Sequence, residues 1–200
     1  MQSGTVRAVI HSHPMQSGEQ AMPYPSASDM RHQIASAVPW AIMVCDDERC
    51  SEPVWFGDQV EAPSLAGRYF RHGVTDCYSL IRDYYQQELG IRLLEFPRDW
   101  EWWEQGQDLY RDGFGRTGFR SIQSHEARPG DVFLACLGRG EFRKRGVPNH
   151  GGIYLGGPGE MILHHLTGQL PVDYSRLSVR EPGVRYLKYV THWLRHEARE

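Results

Sequence analysis

Asp76-Cys77-Tyr78-Ser79-Leu80 places a cysteine where a helix begins. Leu80, Ile81, Tyr84, Tyr85 and Leu89 recur behind it at helical spacing, Asp76 suits the cap of the first turn, and Gly90 suits the end of the last. Cys77 therefore falls in the first turn, where unsatisfied amides and the positive end of the helix dipole favour the thiolate, the reactive form of the side chain. A thiolate nucleophile also needs a base. Downstream, Asn149-His150 opens a strand-like run from Gly151 to Leu155, and His164-His165 closes a second apolar run, Met161 to Leu163. One cysteine followed by two histidine positions is the order of a nucleophile, a base and an orienting group that meet only in the fold.

Two hundred residues give room for one ordinary domain with a smaller module beside it. A formal net charge of −3, with acids and bases interspersed, points away from nucleic acid and from membrane surfaces. Cys45, Cys50, Cys77 and Cys136 are too few and too irregular for a disulfide framework, so free thiols are expected. No apolar run approaches the roughly 18 residues of a membrane span. The N-terminus lacks a charged region followed by an apolar core, so no signal peptide is expected.

From the start, a polar segment leads into a strand expected over Val6 to Ile10, running directly into His11-Ser12-His13-Pro14. Alternate strand residues face one side, so His11 and His13 project together and can grip one metal ion. After the turn-rich Pro23-Tyr24-Pro25, Ser26 is a helix cap, and Asp29, one turn in, offers an oxygen ligand. The helix is expected to run to about Ala37, Pro39 stops it, and Trp40 to Val44 reads as a buried strand. Between Cys45 and about Ser64 the chain turns acidic and irregular, which marks a boundary between a module over 1–60 and a larger unit over 65–200.

His-x-His-Pro followed by Ser-x-x-Asp resembles the zinc site of the JAMM/MPN metalloproteases. The resemblance implies zinc held by His11, His13 and Asp29, with Ser26 supporting an oxyanion. That family's general-base glutamate lies well upstream of the histidines, and no glutamate precedes His11 here. A small, partial JAMM/MPN-like α/β module is therefore expected, with zinc as a possible ligand rather than a requirement.

In the larger unit, an aromatic connection (Trp100, Trp102, Trp103, Tyr110, Phe114, Phe119) follows the cysteine helix, and some of these rings could line a cleft for sugar or peptide. Strands are expected over Arg120 to Ile122, Asp131 to Leu137, Gly151 to Leu155, Met161 to His164 and Val184 to Val190. A helix first and strands afterwards is an α+β order. Asp76-Cys77, Arg128-Pro129-Gly130-Asp131-Val132, His150-Gly151-Gly152-Ile153-Tyr154-Leu155-Gly156 and Ile162-Leu163-His164 resemble the NlpC-type cell-wall cysteine peptidases, which are papain-like. The resemblance implies a helix-borne cysteine packed on an antiparallel sheet, Cys77 as nucleophile, His150 as base and His164 as the orienting group, with His165 as its rival. It also implies an oxyanion-site tyrosine upstream of the cysteine, for which Tyr69 is the match. The expected substrate is the peptidoglycan stem peptide, cut between D-glutamate and a diamino acid, with no cofactor. Tyr78-Ser79 departs from that family's usual Ser-Gly after the cysteine, so the substrate edge is expected to differ.

Gly73-Val74-Thr75-Asp76-Cys77-Tyr78-Ser79-Leu80-Ile81-Arg82-Asp83-Tyr84-Tyr85, with the His-Ser-His-Pro start and Leu163-His164-His165-Leu166, resembles the tail assembly proteins of lambda-like, long-tailed phages. That resemblance implies a virion tail-tip component, made in the host cytoplasm and acting in the periplasm, with other tail-tip proteins as partners. The competing reading is a structural tail-tip plug whose peptidase fold is idle.

Overall fold

The computed structural model describes residues 5–14, 23–138, 146–168 and 170–200; of the expectations above, the first residues of the polar start lie outside them. A three-stranded sheet comes first, ordered β1 (Val9–Pro14), β2 (Trp40–Cys45), β3 (Val54–Phe56), with β1 and β2 parallel and β3 antiparallel to β2. Helix α1 (Ala27–Ser36) makes the crossover. Its start is set by Ser26: the hydroxyl accepts from the Asp29 amide while the Asp29 carboxylate accepts from the Ser26 amide, a reciprocal cap. Strand β1 begins at Val9, not Val6, because its pairing with β2 starts at Trp40, just after Pro39. His11-Ser12-His13-Pro14 therefore lies inside the strand.

Cys45 and Cys50 form a disulfide, which corrects the expectation of free thiols for this pair. The reason is a tight turn: the Asp46 carboxylate accepts from the amides of Glu48 and Arg49 at 2.8 and 2.7 Å, folding the chain back until the two cysteine Cα atoms stand 4.1 Å apart. Cys77 and Cys136 are buried and belong to no disulfide.

Beyond residue 64, a two-stranded ribbon pairs β4 (Tyr69–Arg71) with β9 (Val172–Leu177). The main sheet is antiparallel throughout. Its strands are β5 (Phe119–Ile122), β6 (Val132–Ala135), β7 (His150–Gly156), β8 (Met161–His164), β10 (Val179–Pro182) and β11 (Val190–His196), in the order β10-β8-β7-β6-β11-β5. The strand expected over Val184 to Val190 is instead a pair of 3-10 turns, Gly183–Arg185 and Leu187–Tyr189, leading into β11. The turns let Tyr186, Leu187, Tyr189 and Val190 all pack on Phe133, Ala135 and Ile162, which an extended chain with its alternating faces would not allow.

Helix α2 (Cys77–Leu89) has Asp76 as its N-cap and Gly90, in the left-handed region, as its C-cap. It lies directly on β7 because Gly151 has no side chain: a Cβ there would stand 3.0 Å from Ile81 Cδ1 and 3.3 Å from the Tyr110 hydroxyl. Leu80, Ile81 and Tyr85 pack with Val132, Leu134, Ile153 and Leu163, each apolar side chain contributing about 1.5–3 kcal/mol by its burial. The Tyr85 hydroxyl donates to the Gly130 carbonyl at 2.9 Å, tying the helix to the start of β6. There Asp131, fully buried, is paired by Arg195 and Arg199, which accounts for the acid in Arg128-Pro129-Gly130-Asp131. Helix α3 (Leu109–Phe114) emerges from the aromatic connection and sets Tyr110 and Phe114 against Tyr78. The N-terminal module touches the cysteine helix's approach: Gly73, at φ 72°, is so close to Met30 and Pro25 that a Cβ would collide with both.

Candidate active site

Cys77 is the first residue of α2, and its surroundings follow from the cap beneath it. One Asp76 carboxylate oxygen accepts from the Ser79 amide and hydroxyl at 2.9 and 3.0 Å, and the other accepts from the Gly73 amide at 2.8 Å. Arg98, equally buried, donates to both oxygens from Nε and Nη2 at 2.8 and 3.1 Å. Burial alone would raise the Asp76 carboxyl, but the charge and hydrogen bonds of Arg98 outweigh it and hold the group well below the usual carboxylate range. His72 completes this underpinning through its Nε2, 3.0 Å from the Arg98 carbonyl.

Cys77 is 8% exposed. Its Sγ lies 3.0 Å from the Tyr110 hydroxyl and is also bonded by the Gly151 amide. Burial, then the Asp76 carboxylate, push the thiol up to about 11, against the opposing pull of Tyr110, the Gly151 amide and Arg98. Against the expectation of a resting thiolate, desolvation and the capping carboxylate favour the neutral thiol. Cys77 faces a narrow cavity of about 40 Å³ walled by Tyr78, Phe96, Trp100, Trp102 and Phe114, so part of the aromatic connection does line a cleft.

The histidines assemble through strand register. Gly152 pairs with His164, and Glu181 with Ile162, so His150, His164 and Glu181 share one sheet face as near neighbours. His150 Nε2 is 3.1 Å from His164 Nδ1, and His164 Nε2 is 2.8 Å from the Glu181 carboxylate. The rival, His165, contacts the Arg176 carbonyl instead. His150 Nδ1 is buried with no partner. Burial, reinforced by His164 and His165, lowers His150 well below the ordinary histidine range, and burial lowers His164 against the opposing effect of Glu181. Burial thus disfavours the charged form of the thiol and of both imidazoles.

No hydrogen bond joins Sγ to His150. Gly151 and Ile153 of β7 face α2, whereas His150 lies on the Phe133 side. The nucleophile and the relay thus meet at the end of the sheet, at the His150-Gly151 peptide whose N–H touches Sγ. His150 opens on a second cavity of about 280 Å³, and Trp103, Asn149 and Thr167 line both cavities.

Residues 67–191 match the NlpC/P60 family. The chain belongs to this family. NlpC/P60 domains are typically those of cysteine peptidases and related hydrolases. Tail tip assembly protein K of Escherichia phage lambda is 40% identical over 171 residues, covering 84% of this chain and 73% of that protein. The protein of the same name from Escherichia phage N15 is 32% identical over 171 residues, covering 84% of this chain and 62% of that protein.

Within the NlpC/P60 domain, Tyr69 is not at the thiol. The β4–β9 pairing turns it outward, 54% exposed, with its ring against Tyr174. Tyr110 takes the position beside Cys77, a residue that sequence reading left among the generic aromatics. Glu181 and Arg98 were also missed: each meets its partner across strands or loops, with no local signal.

Residues 9–56 lie outside the matched NlpC/P60 segment. There His11, His13 and Asp29 converge: the two Nε2 atoms are 3.1 Å apart, and each is 3.3–3.4 Å from an Asp29 oxygen. Tetrahedral ligands at the roughly 2.0–2.1 Å typical of zinc lie about 3.3 Å from one another, so the set fits three ligands of one ion. Ser26 donates to Asp29 from its hydroxyl at 2.7 Å, fixing the carboxylate.

Proposed function

We propose that this chain is a phage tail-tip component whose NlpC/P60 domain, over 65–200, cleaves peptidoglycan stem peptides at the bond between D-glutamate and a diamino acid. The observation that carries the chemistry is a cysteine at a helix start, in contact with a hydroxyl and a strand amide, next in space to a histidine relay with one free nitrogen. The tail association is supported by the names of the two relatives. Arg176, on the wall beside His150, offers a cation to the carboxylates of a stem peptide. The site acts in the periplasm, carried there on a virion assembled in the host cytoplasm, with other tail-tip proteins as partners.

In this reading substrate opens the aromatic cavity and brings Sγ within reach of His150 Nδ1, while Nε2 keeps its contact with His164. The Cys77 thiol proton passes to Nδ1 as sulfur forms its bond to the carbonyl carbon, so attack does not start from a preformed ion pair. The developing oxyanion takes hydrogen bonds from the first-turn amide of Cys77 and from the Tyr110 hydroxyl, which burial keeps protonated. The C–N bond breaks, His150 returns its proton to the leaving amine, and a water deprotonated by His150 hydrolyses the thioester. The thiol chemistry needs no cofactor. In the module over 1–60, His11, His13 and Asp29 would hold zinc, and the ion would supply a Lewis acid or a structural clasp there.

Purified peptidoglycan incubated with the wild-type chain is expected to release fragments ending in the diamino acid amine, read by mass, and Cys77→Ala is expected to release none. The neutral thiol, held off its base, favours a second reading, a structural plug. No release by either folded protein would put that reading first.

A further inference from the structure

Resting on His150 as the base, we propose that Glu181 is a positioning residue that dictates which nitrogen of His150 is free to take the thiol proton. A carboxylate only accepts, so the 2.8 Å contact places the His164 proton on Nε2. A neutral imidazole carries one N–H, which leaves His164 Nδ1 as an acceptor. The 3.1 Å contact to His150 then has His150 Nε2–H as its donor. His150 Nδ1 is left as a bare lone pair, and that atom is the one buried without a partner.

Without Glu181 the chain of protons has no fixed direction. His164 could donate from Nδ1 to His150 Nε2, and the remaining proton of His150 would then sit on Nδ1, where a base must have none. The arrangement also serves the step itself. When Nδ1 takes the proton from Cys77, the positive charge on His150 is shared through His164 toward the carboxylate.

The neighbours are arranged to hold this geometry. The Tyr186 ring packs against His164 at 4.5 Å between centroids, and its hydroxyl bonds Glu181. Arg185 and Arg176 also act electrostatically on that hydroxyl, and His165 acts electrostatically on His150. Glu181 sits on β10, whose pairing with β8 sets its register beside His164. It is no part of the Cys-His-His series read from the sequence.

The test uses the full chain labelled with nitrogen-15. Long-range nitrogen–proton correlation spectra at neutral pH are expected to show both His150 and His164 as Nε2–H tautomers in the wild type. Glu181→Gln, which can donate as well as accept, is expected to populate the Nδ1–H form of His150. On solubilised peptidoglycan fragments it should lower kcat about tenfold with little change in KM, less than the roughly 10⁴-fold loss when a triad's own orienting group is altered. Glu181→Asp, which keeps the carboxylate, is expected to restore the wild-type tautomer and part of kcat. A wild-type His150 protonated on Nδ1, or a Glu181→Gln protein with both tautomers and kcat unchanged, overturns the proposal. The wild-type spectrum decides the tautomer even if a variant misfolds or no peptidoglycan is cleaved, so failure of the peptidase reading is told apart from failure of this one.

Discussion

Arg98→Met tests the buried support under the nucleophile. Arg98 and Asp76 side chains are each 5% exposed, and the guanidinium holds both carboxylate oxygens, the Ser79 hydroxyl at 3.1 Å, the Glu95 carboxylate at 2.6 Å and the Phe96 carbonyl at 2.8 Å. Methionine keeps most of the stem and deletes the charge, leaving Asp76 buried without its counter-ion. Removing one partner of a buried pair costs about 3–5 kcal/mol. For a chain of this size each kcal/mol moves Tm by about 2–4 °C, so a drop of about 6–20 °C is expected at neutral pH. The sign with pH is opposite in the two proteins. In the wild type the folded Asp76 carboxyl sits below its unfolded value, so its stabilisation is present above the unfolded value and lost as pH falls through the folded one. In the variant the carboxyl is buried unpaired and its folded value lies above the unfolded one. Its penalty is full at neutral pH and is relieved as pH falls toward about 4. Thermal melts of both proteins at neutral pH and at about pH 4 should therefore show a deficit that narrows on acidification, and Asp76→Asn combined with Arg98→Met should recover part of it. A neutral-pH deficit below about 1 kcal/mol, or one that does not narrow in acid, refutes the assignment of this pair as the support of the site.

Cys77 should alkylate slowly with iodoacetamide at neutral pH, with a rate that climbs toward about pH 11, and Tyr110→Phe should slow it further by removing a donor to the thiolate. Rapid labelling near pH 6 would contradict the neutral resting thiol, and faster labelling in Tyr110→Phe would make the hydroxyl a shield rather than a donor. For the N-terminal module, zinc measured after dialysis should approach one ion per chain and fall in His13→Ala, while a chelator leaves peptidoglycan release intact. Equal zinc in wild type and His13→Ala would remove the ion from that set.

The extent of α2 was legible because its signals are local: Asp76 and Gly90 act on backbone groups within a turn of themselves. The same holds for α1, where Ser26 and Asp29 cap each other. His11 and His13 were legible as a pair because strand alternation alone puts them on one side, and Asp29 then meets them across the crossover. The turn at Asp46 was misread, since acidic residues that mark irregular chain also close a tight turn, and that turn brings Cys45 to Cys50.

What the sequence determined by itself is the cysteine at a helix start, the strands that carry His150 and His164, and the α+β order of the larger unit. Tertiary structure alone decided the burial and the company of those groups. Tyr110 rather than Tyr69 stands at the thiol because α3 packs on α2 while the β4–β9 ribbon turns outward. Glu181 joins the histidines because of a strand register, and burial and a capping carboxylate favour the neutral form of Cys77. Pairings across the fold and the loss of water around a charge depend on what the rest of the chain brings near, and no local pattern encodes them.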